Sequence, residues 1–156
     1  MCEILWVKIN MVGCKTLYVC AFYNLDEGDA ISLKIFERSL QENGGMTSSH
    51  IWIAGDINLS RFDWKPNCIF LTCRFPELTQ KFTDCLNNHD LVQLITNPAW
   101  EKNVLDLFIT NNDSVIITTQ LIQGVSDHVA VFVEGNIKAA INKKKHRMVP
   151  LYRKVD

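Results

Sequence analysis

The sequence has no apolar run near the roughly 18 residues that a membrane-spanning helix needs, which excludes that class. Its opening, Met1-Cys2-Glu3-Ile4-Leu5-Trp6-Val7-Lys8, sets an acid and a lysine among apolar side chains and reads as a strand, not a secretory signal. Seven glycines and four prolines in 156 residues are too few for a collagen-like or low-complexity chain. Six cysteines are too few for a disulfide scaffold. No Cys-x-x-Cys occurs, and Cys68 and Cys73 lack histidines at zinc spacing. The expectation is reduced thiols in an intracellular protein, nuclear or cytoplasmic, with no membrane association. The Asn-x-Ser triplets at Asn58 and Asn112 are then chance matches rather than glycosylation sites. A net excess of either charge is also missing, the formal total being −1.

With 47% hydrophobic and 21% charged residues, the chain can bury one core. The near-zero charge conceals an asymmetry: seven of the sixteen basic residues fall between Lys138 and Asp156, against one acid. An acidic body with a basic end does not suit a simple electrostatic nucleic-acid sponge; it suits a domain whose acids serve a metal. Residues 1–135 are therefore expected to form the domain, and 136–156 a basic tail or linker.

Two strand-like stretches, Glu3–Asn10 and Lys15–Tyr23, flank Val12-Gly13-Cys14 and predict a hairpin or meander. Asp29–Glu42 carries Ile31, Leu33, Ile35, Phe36 and Leu40 at helical spacing and stops at Asn43-Gly44-Gly45. His50–Gly55 is a short buried strand, and Leu59–Phe75 has no period and reads as a surface loop. Pro76–His89 predicts a second helix, with Leu78, Phe82, Cys85 and Leu86 on one side. After Asp90–Ile95 and the turn at Asn97-Pro98, Val104–Thr110, Ser114–Ile122 and Val129–Glu134 supply three more strands. Strands joined largely without helical crossovers indicate an α/β sandwich with mixed sheets.

Three short constellations carry chemistry. In Ile53-Ala54-Gly55-Asp56-Ile57-Asn58, a buried strand runs out into an acid and an amide two residues apart. If the extension continues, both side chains fall on one side of the backbone. The carboxylate suits metal or water, and the amide a phosphoryl oxygen; a plain turn built from Asp and Asn is the alternative. In Val104-Leu105-Asp106-Leu107-Phe108, alternation puts Asp106 on the side of Val104 and Phe108, where an acid needs a partner unless the strand is an edge facing water. In Gly124-Val125-Ser126-Asp127-His128-Val129, a polar trio precedes an apolar strand, so His128 stands at the rim of the core beside a carboxylate and is placed for acid–base work.

These phrases, in this order and each at a strand boundary, resemble the endonuclease/exonuclease/phosphatase superfamily, the fold of pancreatic deoxyribonuclease and the apurinic endonucleases. Leu17-Tyr18-Val19-Cys20-Ala21-Phe22-Tyr23, Asp63-Trp64 and the exit Lys144-Lys145-His146-Arg147-Met148-Val149-Pro150-Leu151-Tyr152 make the chain most similar to the endonuclease domain of LINE-type (non-LTR) retrotransposons. The resemblance implies a deoxyribonuclease-like αββα sandwich with mixed sheets. It also implies Mg²⁺- or Mn²⁺-dependent hydrolysis of DNA phosphodiesters, in line and leaving a 3′-hydroxyl. Asp56 would orient or activate the nucleophile, with Asn58 holding it or a phosphate oxygen. Asp106 and His128 would form a dyad, Asp127 would sit at the metal, and Tyr23 matches the aromatic position on the phosphate side. DNA is the implied partner, and the basic exit leads in the family toward a reverse transcriptase.

Three departures accompany the likeness. The family's first part carries an asparagine and a metal-binding glutamate with no match here, which implies a sandwich incomplete at its N-terminus and an activity crippled by truncation. The family's Arg-Pro-Pro after the tyrosine is replaced by Asn24-Leu25-Asp26, and its Pro-Thr-Arg by Pro98-Ala99-Trp100. Two alternatives stay open: a phosphatase of the same superfamily acting on a small or lipid phosphate, and a non-catalytic remnant or nucleic-acid-binding module.

Overall fold

The computed structural model describes residues 2–42, 48–59, 62–64, 68–70, 72–96, 104–124 and 129–137. The N-terminal stretches form β1 (Cys2–Ile9) and β2 (Leu17–Asn24), paired antiparallel from Cys2 opposite Asn24 to Ile9 opposite Leu17. The turn between them places Gly13 at φ 75°. Helix α1 (Ala30–Glu42) starts where Asp29 Oδ1 accepts the backbone N–H groups of Ile31 and Ser32, capping donors that the first turn leaves unpaired.

From α1 the chain returns as β3 (His50–Asp56), parallel to β2, with Leu17 opposite His50 and Ala21 opposite Ala54. Helix α2 (Pro76–Asn88) opens on the expected proline and ends with Asp90 at φ 53° while Leu91 N–H donates to Leu86 O. Strands β6 (Val92–Gln93) and β7 (Asp106–Thr110) complete a five-stranded mixed sheet of order β1-β2-β3-β7-β6.

The stretch expected as a surface loop differs from that expectation. It contains β4 (Phe62–Asp63) paired with β5 (Cys68–Ile69), and Leu59 and Phe62 are buried. Phe62 meets Trp64 edge-on, and Trp64 meets Phe82 of α2, so aromatics fasten the segment to the helix layer.

Alternation divides the large sheet into two faces. One carries Cys20, Phe22, Ile53, Leu107 and Ile109 against Leu33, Phe36 and Leu40 of α1 and Phe82 and Leu86 of α2. Phe36 is fully buried between Phe22, at 4.9 Å centroid separation, and Phe82, at 5.7 Å. Burying such a side chain contributes roughly 1.5–3 kcal/mol before packing effects.

The other face receives a hairpin, β8 (Ile116–Ile122) and β9 (Ala130–Gly135), entered through a 3-10 turn at Asp113–Val115. Trp52 packs edge-to-face on Phe108 beneath it, and a side chain at Gly135 would strike the Trp52 ring. Thr119, Gln120 and Leu121 of β8 share a small cavity with Leu94, Ile95 and Thr96. The hairpin thus lies over β3, β7 and β6. The neighbouring half of this face stays uncovered: Leu5 is 64% exposed, Val7 45% and Ile9 39%. The described residues thus form an α/β sandwich with a five-stranded mixed sheet and a two-stranded second one. None of the described helices is long and apolar enough to cross a membrane.

Candidate active site

Register brings two of the expected acids together. β3 and β7 run antiparallel with Trp52 opposite Thr110, Ala54 opposite Phe108 and Asp56 opposite Asp106. Directly opposed residues have Cβ atoms about 4.5–5.5 Å apart and project on the same face. Two carboxylates side by side repel unless something positive or hydrogen-bonding sits between them, and here both are partnered. Asp106 keeps the side of Phe108, as alternation requires, and it is half-buried.

Tyr23 extends this edge. It lies two residues past Ala21, the last β2 residue paired with β3, and shares a groove with Asp56. Tyr23 is 42% exposed, lies opposite Glu3 of β1, and lines with Glu3, Leu5, Ala21, Ala54 and Asp56 a groove of about 350 Å³. Glu3 was not among the residues expected from the sequence. An acid at the start of an apolar strand is ordinary, and only its pairing with Tyr23 marks it.

Asn58 reaches the site differently from the sequence expectation. Extension stops at Asp56, and Asn58 has φ 54°, the left-handed conformation that asparagine tolerates. Its N–H donates to Asp56 Oδ1 at 2.9 Å, an Asx turn that fixes the carboxylate. Its Nδ2 turns back to the carbonyl oxygens of Asn24 at 3.3 Å and Leu25 at 3.5 Å. Asp56 and Asn58 are thus joined by a hydrogen bond rather than by a shared strand face.

Gly55 marks where β3 stops pairing with β2, while the pairing of β3 with β7 continues to Asp56. It has φ 148°, and a Cβ built on it would stand 1.9 Å from the Phe22 carbonyl oxygen. Only glycine allows so close an approach of β2 and β3. Past this point Ile57 N–H donates to Leu105 O, so the turn is tied to the entry of β7.

Asp127 and His128 lie outside the described residues, as do Pro98, Ala99, Trp100 and the basic exit from Lys138 onward. The flanking pair Ile122–Ala130 closes the described hairpin, beyond the Leu121 that shares a cavity with Ile95 and Thr96. His50 sits at the start of β3, far along the sheet from Asp56; burial and Lys15 hold its imidazole below the usual pKa. All six cysteines are free, and burial pushes the thiols of Cys20 and Cys85 up to about 12 and about 11.

Among the described residues, no group of three or more His, Cys, Asp and Glu is arranged to hold a metal ion. Two adjacent carboxylates fit Mg²⁺ or Mn²⁺ nevertheless, because hard cations are commonly bound through one or two carboxylates together with water and substrate phosphate.

A family model described as endonuclease-reverse transcriptase matches residues 17–132. No curated protein matches the chain. Among solved structures, the endonuclease domain of TRAS1, a telomere-specific non-LTR retrotransposon, is similar in fold, with a TM-score of 0.66 and 15% sequence identity. That alignment covers 86% of this chain and 62% of the TRAS1 domain, so the chain spans less than two thirds of that neighbour.

Proposed function

The chain belongs to the endonuclease-reverse transcriptase family, and from that premise we propose that it is a divalent-metal-dependent DNA endonuclease of the retrotransposon type. The observation that carries this reading is the pairing of Asp56 with Asp106 at the strand ends beside Tyr23. Asp56, fixed by the Asn58 N–H, orients a water molecule toward phosphorus. The Asn58 side chain or a neighbouring donor steadies a phosphate oxygen, and Tyr23 flanks the phosphate in the groove. Asp106 pairs with His128, holding its tautomer and stabilising the imidazolium form. Asp127, with the two paired acids, would hold the cation, whose contribution when bound would be to polarise the phosphoryl group. The water oxygen bonds to phosphorus and gives up a proton to the His128 imidazole as the bond from phosphorus to the 3′ oxygen breaks. That oxygen takes up a proton, giving a 3′-hydroxyl and a 5′-phosphate. Residues 1–135 form the catalytic domain, and 136–156 are a basic tail or linker.

The test is nicking of supercoiled plasmid by the chain with Mg²⁺, with Mn²⁺ and with a chelator, beside His128→Ala. The expected result is metal-dependent nicking that His128→Ala abolishes. Nicking that persists in the chelator would overturn the metal role. Phosphate release from an inositol phosphate with no action on DNA would replace the endonuclease by the phosphatase.

A further inference from the structure

The β2–β3 ladder ends one residue before Gly55, yet the functional turn beyond it must still be positioned against Tyr23. A buried side chain of β2 spans the gap. Asn24, the last residue of β2, is 0% exposed, and its Nδ2 donates to Ile57 O at 3.0 Å. In the reverse direction its own carbonyl accepts Asn58 Nδ2 at 3.3 Å. The residue after Tyr23 thus grips two consecutive residues of the turn, Ile57 and Asn58, where regular strand pairing would have supplied backbone bonds.

Packing alone does not account for an asparagine here. Asn24 Oδ1 is buried and has no hydrogen-bond partner among the described residues, so part of its polarity stands uncompensated. A leucine of almost the same shape would remove that cost. What leucine lacks is the donor to Ile57 O. We propose that Asn24 is a positioning residue, a side-chain latch that holds the Asp56–Asn58 turn in register with Tyr23. The proposal rests on the endonuclease reading for its effect on catalysis, though not for its effect on the turn.

The experiment compares the full chain with Asn24→Leu and Asn24→Ala by amide hydrogen exchange and by plasmid nicking. In the wild type, the Asn24 side-chain amide protons should exchange more slowly than those of Asn58, a measurement that needs no variant to fold. In Asn24→Leu the Ile57 and Asn58 amides should exchange at least tenfold faster, while Ile53 and Ile109 in the sheet centre stay unchanged. Nicking should lose tenfold or more in kcat with KM for DNA within twofold. Asn24→Ala should show the same local loosening together with a lower melting temperature. Unchanged exchange at Ile57 and Asn58, or equal acceleration throughout the sheet, would overturn the latch. If the exchange pattern holds while the wild type fails to nick DNA, the latch stands and the endonuclease reading falls.

Discussion

Replacing Gly55 with alanine should be among the most damaging single changes in the chain. A Cβ there would stand 1.9 Å from the Phe22 carbonyl oxygen, whereas carbon and oxygen in contact sit about 3.3 Å apart. β2 and β3 would have to separate by more than an ångström, or the peptide at Phe22 would have to rotate out of the sheet. Either movement disturbs Phe22, which is fully buried against Phe36. Overpacking of this kind costs roughly 1–3 kcal/mol. The backbone adds a second cost, since φ 148° is a region that residues with a Cβ occupy only at about 1–3 kcal/mol of strain. Together these give on the order of 2–6 kcal/mol, a large share of the roughly 5–15 kcal/mol by which domains are stable. Urea unfolding followed by circular dichroism and tryptophan fluorescence would read this directly as a lower midpoint at unchanged slope. A variant within about 1 kcal/mol of the wild type would refute the close approach of β2 and β3 and, with it, the reason given for the end of their ladder.

Other consequences follow from the core and the uncovered face. Phe36→Ala removes the ring sandwiched between Phe22 and Phe82 and should cost about 3–5 kcal/mol in the same unfolding assay. The exposed row at Leu5, Val7 and Ile9 should bind a hydrophobic dye and promote self-association; Leu5→Lys with Val7→Thr should reduce both while changing stability by no more than about 0.5 kcal/mol. Cys20 and Cys85, with thiol pKa values raised to about 12 and about 11, should stay unmodified by a thiol reagent at pH 8 in the native chain. Exposed Cys68 should react first, and all six thiols should react after unfolding, as mass spectrometry would count.

Much of this architecture is legible in the residues because it is periodic. The α1 stripe, the proline that opens α2 and the apolar run of β3 each express a face that must be buried, and each element lies within two residues of where its pattern places it. β4 and β5 are not legible, since two-residue bridges are too short to carry a period and their burial comes from Phe62 and Trp64 meeting α2. At the site, the types of residue are informative and their geometry is not. Asp56 and Asp106 are set opposite each other by an antiparallel register that depends on two distant segments. The Asn58 side chain turns back because extension ends at Asp56 and Asn58 is left-handed, geometry hidden in a local phrase. Asn24 reads as a departure from a family pattern, and only its buried bond to Ile57 O gives it a role.

The central claim is that Asp56 and Asp106 act as one site on DNA. A double-mutant cycle on plasmid nicking in Mg²⁺ tests it most directly, using wild type, Asp56→Asn, Asp106→Asn and the pair together. If the two carboxylates serve one reaction, each single substitution should cost about a hundredfold or more, and the double variant should be little worse than the weaker single, because residues acting as a unit are not additive. Losses that simply multiply, or variants that nick as fast as the wild type, would contradict the account.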